Sequence, residues 1–179
     1  MQSFSSNLKL GKFRSLIKNL TNEQKALIKS CGFGNILEFD CSEAPRSVSF
    51  WLAKMFDVNT RSVNLQNGST FTITASTVHQ ILGIPLGGRR IPTRSTKALK
   101  DVIGSDTGTS SIAPTVDQLF ISLVNSELGG DKFVRIFVLI ALSFFLCPTS
   151  YGSASSHYYS GIASVEDIPK YDRSSFVLD

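Results

Sequence analysis

Apolar and polar residues alternate on both sides of an Asn67-Gly68 pair, first over 62–66 and then over 69–73. Strict alternation is typical of a strand with one buried face, and Asn-Gly is the preferred sequence of a two-residue type I′ turn. The pattern predicts a β-hairpin over 62–73 that packs on helices, because an isolated hairpin is barely stable in water. The residues expected on its packed face are Val63, Leu65, Phe71 and Ile73.

Elsewhere the apolar residues recur three and four positions apart, which is the spacing of helices. Thr21 with Gln24, and Thr115 with Gln118, have the capping-box pattern of a helix start. A short helix over 75–82 is expected to end at Gly83. Another helix begins near Pro45, and its apolar stripe is expected in the core; the stripe comprises Val48, Trp51, Leu52, Met55 and Phe56.

The most apolar stretch predicts a buried helix over 131–146. Its run FVRIFVLIALSFFLC is fifteen residues long and includes Arg135, so it is shorter than the roughly 20 apolar residues that cross a bilayer. We therefore expect a central helix of a globular domain, ended by Pro148, and no membrane contact.

These elements predict a mainly α fold with one small β-hairpin. We divide the chain into a basic, flexible tail (1–20), a helical segment with the hairpin (21–86), a polar basic linker (87–114) and a second helical segment (115–179). Residues 21–179 together form one partial domain in this interpretation. The ending YDRSSFVLD resembles the start of a further helix, so the domain is expected to be incomplete at its C-terminus.

Composition places the 179-residue chain among folded proteins, because 42% of its residues are hydrophobic and only 18% are charged. Three cysteines without a CxxC pair indicate free thiols rather than a secreted disulfide framework. The net charge of +4 comes from basic residues concentrated near the N-terminus and in the expected linker. Such a distribution is compatible with an acidic partner such as nucleic acid.

Motifs for catalysis or cofactors are missing from the sequence. The glycines after residue 82 follow a predicted helix and supply no GxxxxGK[ST] phosphate loop, so they are interpreted as a helix cap. His79 has no second ligand one helical turn away, and Cys147 at an apolar helix end is a poor setting for a thiolate, even if His157 lies near it. We expect no enzyme activity, no metal, no cofactor and no small-molecule substrate.

The expected linker contains the only candidates for a binding role, and these are basic side chains that could contact nucleic-acid phosphates. A solvated linker is the simpler alternative, because no aromatic residues lie among them to stack on bases. The candidates are Arg89, Arg90, Arg94, Lys97 and Lys100.

Three blocks resemble, in this order, the plant mobile domain family, whose members often carry the label aminotransferase-like. They are LTNEQKALIKSCGFGNIL, FWLAKMFDVNTRSVNLQNGSTFTITASTVHQILGIPLGG and FVRIFVLIALSFFLCPTSYGSASSHYYSGIASVEDI, and they cover about 21–168. The resemblance implies a helical, transposon-derived plant domain without a catalytic motif. It also implies a nuclear protein that contacts unidentified proteins or nucleic acid in transposon silencing or genome maintenance.

Two alternatives stay open on the same resemblance. The chain is similar to the non-catalytic N-terminal portion of proteins that carry a Ulp1-like cysteine protease, and it could equally be a non-functional gene remnant. If the protein is not nuclear we expect it in the cytoplasm, and we do not expect it to be secreted.

Overall fold

A computed structural model describes residues 8–108, 113–124 and 130–179, and it confirms a mainly helical domain with one small antiparallel sheet. Short 3₁₀ segments cover Gly34–Glu38, Ser156–Gly161 and Val165–Lys170. The α-helices are α1 (Leu10–Lys18), α2 (Asn22–Ser30), α3 (Arg46–Met55), α4 (Ala75–Leu82), α5 (Lys97–Thr107), α6 (Val116–Val124), α7 (Gly130–Ala141) and α8 (Arg173–Leu178), and the strands are β1 (Phe56–Asp57), β2 (Ser62–Asn64) and β3 (Thr70–Thr72).

Helix α7 lies at the centre of the core. Its residues from Ile136 to Ala141 are all buried, as expected of a helix that is apolar on every side. The helix packs against α2, α5 and α6 and continues into a π-helical turn, Leu142–Leu146. That turn closes with a 2.7 Å hydrogen bond from the Cys147 N–H to the Leu142 carbonyl, and Pro148 then prevents continuation. The apolar stretch over 131–146 is thus helical throughout.

The expected flexible tail over 1–20 contains an ordered helix, so that prediction is wrong for its second half. In α1, Phe13, Leu16 and Ile17 are buried at helical spacing, and the Phe13 ring stacks on Phe145 with 5.5 Å between centroids. The basic residues of α1 lie on its outer side, where Lys12 pairs with Asp117 at 2.5 Å. Residues 1–7 of the predicted tail lie outside the described residues.

The expected linker over 87–114 also contains a helix, α5, and is therefore not a simple connection. Thr96 caps α5 by accepting a hydrogen bond from the Leu99 N–H at 3.3 Å. Ile91 and Ile103 anchor the segment, because both side chains are buried. Residues 109–112 of the predicted linker are not among those described.

The sheet has β2 at its centre, and β2 pairs antiparallel with both neighbours. Val63 pairs with Phe71 across the predicted hairpin. Of the four residues expected on its packed face, Val63 is buried and Leu65 and Ile73 are partly buried, but the prediction is wrong for Phe71, which is 52% exposed. The turn is not type I′, because Gly68 has a positive φ of 83° whereas Asn67 does not. The Gly68 N–H donates to the Leu65 carbonyl and the Leu65 N–H to the Ser69 carbonyl, so the loop has three residues and ends at a left-handed glycine.

The last helix packs into the domain. Helix α8 contacts α4, and the backbone N–H groups of Arg173 and Ser174 both donate to the Pro85 carbonyl, at 3.1 and 2.9 Å. The apolar residues 176–178 are partly buried against the core rather than left exposed.

Candidate functional site

Arg89 and Arg90 lie in an extended segment between α4 and α5 that is held against the C-terminal part of the chain. The Arg89 N–H donates to the Lys170 carbonyl, and the Asp172 N–H donates to the Arg89 carbonyl, both at 2.9 Å. The Arg89 guanidinium donates to Asp167 at 2.7 Å, whereas Arg90 approaches Asp179 only to 3.9 Å. Two of the five predicted contact residues therefore already face carboxylates.

The other three predicted contact residues follow along the chain, Arg94 before α5 and Lys97 and Lys100 within its first turn and a half. None of them forms an ion pair within the part of the chain that the structure describes. The Arg94 carbonyl accepts a 2.6 Å hydrogen bond from Ser160, which fixes the backbone there. Their charges are thus free to meet an anionic ligand.

The glycines between α4 and this segment have structural roles. Gly83 ends α4 in a left-handed conformation, with its N–H donating to the His79 carbonyl at 2.7 Å, which confirms the predicted helix cap. Gly88 has a φ of +96°, and a Cβ there would lie 2.4 Å from the Lys170 carbonyl oxygen. Gly88 thus permits the backbone pairing that holds Arg89.

A cleft opens beside this segment, with a volume of about 860 Å³. One wall is the chain from Gly88 to Thr93, a second comprises residues from Leu146 to Tyr158, and the third is α8 with its flanking Asp172 and Asp179. Sequence reasoning missed this cleft, because its walls come from three distant parts of the chain. The only signal was the apolar content of the C-terminal residues, which the sequence interpretation assigned to the start of a further helix.

Cys147 and His157, the pair named from the sequence, both line the cleft. Burial raises the pKa of the Cys147 thiol to about 11, so the thiol stays protonated near neutral pH. A protonated thiol is a poor nucleophile. The Tyr158 hydroxyl is also engaged, because it donates to the Cys147 carbonyl at 2.6 Å. The geometry supports binding in this cleft better than thiol chemistry.

Helix α3 presents a second unusual surface. The sequence interpretation placed its apolar stripe in the core, and this is wrong, because α3 contains no buried residue. The side chains of Val48, Trp51 and Leu52 are 51%, 38% and 41% exposed, and Met55 completes the row at helical spacing. We call Val48, Trp51, Leu52 and Met55 the α3 face.

Other kinds of site are not evident in the described parts of the chain. No three histidine, cysteine or acidic side chains there are grouped in a way that could hold a metal ion. No helix in residues 8–108, 113–124 or 130–179 is long and apolar enough to cross a membrane.

The fold and these surfaces define a small helical domain with one three-stranded sheet, a cleft and an exposed amphipathic helix. The chain belongs to the family described as Domain of unknown function (DUF8566), whose model matches residues 6–179. No curated protein and no solved structure matches this chain.

This finding corrects the resemblance to the plant mobile domain family. The match over 6–179 is to DUF8566, and no plant mobile domain model matches. The ordered sequence blocks on which the resemblance rested are helix starts, a hairpin and an apolar core helix. Such features recur in unrelated helical proteins, because they follow from local physical rules. The transposon-derived and nuclear descriptions lose their support with that resemblance.

Proposed function

We propose that this domain is a non-catalytic protein-interaction domain that presents the α3 face to a partner protein. One observation carries the proposal: α3 has the apolar stripe of a core helix and yet buries none of its residues. Soluble domains normally cover such a stripe, and contiguous exposed apolar side chains typically belong to binding surfaces.

The pattern of the α3 face indicates the shape of the partner's site. Apolar residues at positions 48, 51, 52 and 55 follow the i, i+3, i+4, i+7 spacing of helices that dock into an apolar groove. The ten residues of α3 make a helix about 15 Å long, given a rise of about 1.5 Å per residue. If α3 paired side by side with α3 of a second copy, the contact would bury much less than the roughly 800 Å² per partner that stable complexes need. A groove encloses more of the helix.

The charges on α3 indicate the chemistry of the groove's rim. Arg46 and Lys54 lie near opposite ends of the helix, and α3 itself has no acidic residue. Neither cation has an ion pair among the described residues, although the Lys54 ammonium lies 4.5 Å from the centre of the Phe50 ring. Complementary potentials favour a partner whose apolar groove is bordered by acidic side chains.

Nucleic-acid binding has weaker support. Arg89 donates to Asp167 and stacks over Tyr171, with 5.4 Å between the guanidinium carbon and the ring centre, and Arg90 lies near Asp179. Of the predicted contact residues, Arg94, Lys97 and Lys100 lack a carboxylate partner within residues 8–108, 113–124 and 130–179, and Arg90 has only the 3.9 Å approach to Asp179. Four cations supply a small electrostatic contribution compared with the many phosphate contacts of dedicated DNA-binding proteins.

The proposal can be tested with a photo-crosslinking amino acid at position 52, compared with the same group at position 121. Ile121 lies on α6 and is 59% exposed, so it is a matched control outside α3. A protein captured at position 52 but not at 121 is then purified and titrated. Trp51 is the only tryptophan, so its emission reports burial of the α3 face directly.

The expected result is a blue shift of Trp51 emission and binding that weakens at least about tenfold in Leu52→Ser, as for a central interface residue. Ile121→Ser should bind normally. The combined Arg46→Glu and Lys54→Glu variant should slow association, most clearly at low salt. Cross-links only to nucleic acid or to a second copy would contradict the proposal, as would a captured protein whose affinity is unchanged by Leu52→Ser.

A further inference from the structure

The cleft beside Arg90 has the size and shape of a small-molecule site. Its volume of about 860 Å³ lies within the roughly 300–1,000 Å³ typical of ligand pockets. It is far along the chain from the α3 face and has a different character, because a concave surface suits a small molecule and an exposed helix suits a protein groove.

Polar and apolar groups contribute about equally to the lining of the cleft, and the apolar groups lie side by side. Ile91 and Tyr158 are buried with exposures of 4% and 7%, and Leu146, Phe176 and Val177 contribute partly buried apolar surface. The Tyr158 and Phe176 rings pack edge to face with 6.0 Å between centroids, so two aromatic rings in mutual contact line one side of the cleft. A ligand in the cleft can place an apolar part against these residues.

Most polar groups that line the cleft are already used within the protein. The Ser175 hydroxyl donates to Asp172 at 2.8 Å, and the Thr149 hydroxyl donates to the Ser153 carbonyl at 2.7 Å. The Ser155 hydroxyl accepts from the His157 N–H at 3.3 Å. Thr93, His157 and Arg90 also line the cleft, and of these three Arg90 carries a permanent positive charge.

Arg90 is available because its own carboxylate partner is shared. Asp179 accepts a 3.1 Å hydrogen bond from Arg61, whereas its distance to Arg90 is 3.9 Å, which is too long for a hydrogen bond. The Arg90 side chain is 93% exposed at the cleft rim. The other carboxylate of the cleft, Asp172, caps α8 through hydrogen bonds from the Ser175 N–H and hydroxyl, at 3.0 and 2.8 Å.

We propose that this cleft binds a small anionic amphiphile whose carboxylate pairs with Arg90 and whose apolar part lies on Ile91, Tyr158 and Phe176. A guanidinium binds a carboxylate through two parallel hydrogen bonds, which a lysine at the same position could not do. The apolar part supplies most of the affinity through burial, and Arg90 selects for the acid group.

The test uses octanoate as the anionic probe and octanol as its uncharged counterpart. Each is titrated into the purified chain, and the methyl signals of Ile91 and Val177 are followed by two-dimensional NMR. Arg90→Gln removes the cleft's guanidinium, and Arg94→Gln is the matched control, because Arg94 is exposed and does not line the cleft. Both variants change exposed side chains, so the fold is expected to remain intact.

The expected result is that octanoate shifts both methyl signals and binds more tightly than octanol. Arg90→Gln should weaken octanoate binding about fivefold, as for a solvent-exposed ion pair, and should leave octanol binding unchanged. Arg94→Gln should match the wild type. The proposal is overturned if octanoate leaves the two methyl signals unmoved, if octanol binds equally well, or if the two arginine variants weaken octanoate binding to the same extent.

Discussion

Arg173 is the largest side chain that the fold removes completely from water. Its guanidinium donates to the Gly161 carbonyl and lies 5.8 and 5.6 Å from the ring centres of Phe33 and Tyr171. Its Nε and Nη1 atoms have no hydrogen-bond partner, and no carboxylate pairs with it among the described residues. Burial lowers the pKa of Arg173 to about 10, because the charged form is poorly solvated there.

The aliphatic part of the Arg173 side chain therefore contributes more to stability than its charge does. We expect Arg173→Met to leave the free energy of unfolding unchanged or to raise it by about 1–2 kcal/mol, since Met fills the site without a buried charge. Arg173→Ala should lower it by about 3 kcal/mol, because a cavity remains. Urea denaturation of both variants measures the difference. If Arg173→Met and Arg173→Ala lower the free energy of unfolding equally, the contacts of the guanidinium outweigh the cost of burying its charge.

Gly161 is a residue whose role only the tertiary structure reveals. A Cβ at this position would lie 2.9 Å from an Ile91 methyl and 3.1 Å from Arg173 Nη1. The neighbours come from residues 70 positions earlier and 12 later, so no local pattern could mark the site. By contrast, Gly83 could be assigned as a helix cap from the sequence, because the helix that it ends is adjacent.

At the scale of elements, α1 joins the N-terminal region to the core. Phe13 is completely buried, and its ring centre lies within 6.2 Å of the ring centres of Phe39, Phe137 and Phe145. Three ion pairs among the described residues hold the outer side of the helix, from Lys12 to Asp117 and from both Arg14 and Lys18 to Asp40. The apolar contacts dominate, because ion pairs of exposed side chains contribute about 0–1 kcal/mol.

Phe13→Ala should therefore lower the free energy of unfolding by about 3–5 kcal/mol, as for other large-to-small changes in a packed core. Ser15→Ala is the control on the same helix, because Ser15 is exposed and its side chain is not buried in the core. Thermal denaturation of the two variants gives the comparison. A loss below about 1 kcal/mol in Phe13→Ala would mean that α1 is only loosely attached.

The elements that could be predicted are those with local signals. The Thr21–Gln24 and Thr115–Gln118 capping boxes form as their residues suggest. Helices α1 and α5 were missed because their basic and polar residues were given more weight than the apolar residues spaced between them. The α3 face shows the reverse error: helical spacing predicts an amphipathic helix, but it does not say whether the apolar side meets the same chain or a partner.

At the scale of the whole molecule, fold class could be predicted and the candidate sites could not. A long apolar run and a hairpin are sufficient for a helical domain with a small sheet. The cleft depends on how the segments beginning at Gly88, Leu146 and Asp172 meet, which involves hydrogen bonds between residues about 80 positions apart. Such pairings leave no periodic trace in the sequence.

Burial of several weak acids makes the stability of the whole domain sensitive to alkaline pH. Burial raises the pKa of the Cys31 and Cys147 thiols to about 11, and of the Tyr158 and Tyr159 hydroxyls to about 12. The unfolded chain loses these protons at the ordinary values of 9.0 and 10.0, so above pH 9 it binds fewer protons than the folded chain. The free energy of unfolding must therefore fall as the pH rises.

Arg173 acts in the opposite direction. Its pKa is about 10 in the folded chain and 12.5 ordinarily, so between these values the unfolded chain holds the extra proton and rising pH favours folding. One arginine offsets only part of the effect of two thiols and two phenols. Its effect on stability begins near pH 10, whereas that of the thiols begins near pH 9. The net expectation is a loss of stability that starts near pH 9 and continues to pH 11.

The thiol contribution can be isolated with Cys31, which is buried, and Cys41, which is exposed. Between pH 8 and 11 the raised pKa of Cys31 accounts for a loss of about 2 kcal/mol, since one unit of pKa corresponds to about 1.4 kcal/mol. Urea denaturation under reducing conditions should show a smaller loss over this range in Cys31→Ala than in the wild type, and an unchanged loss in Cys41→Ala. If Cys31→Ala and the wild type lose the same free energy, ionisation of that thiol does not limit the stability of the fold, and Cys147 together with the two tyrosines must account for the alkaline loss.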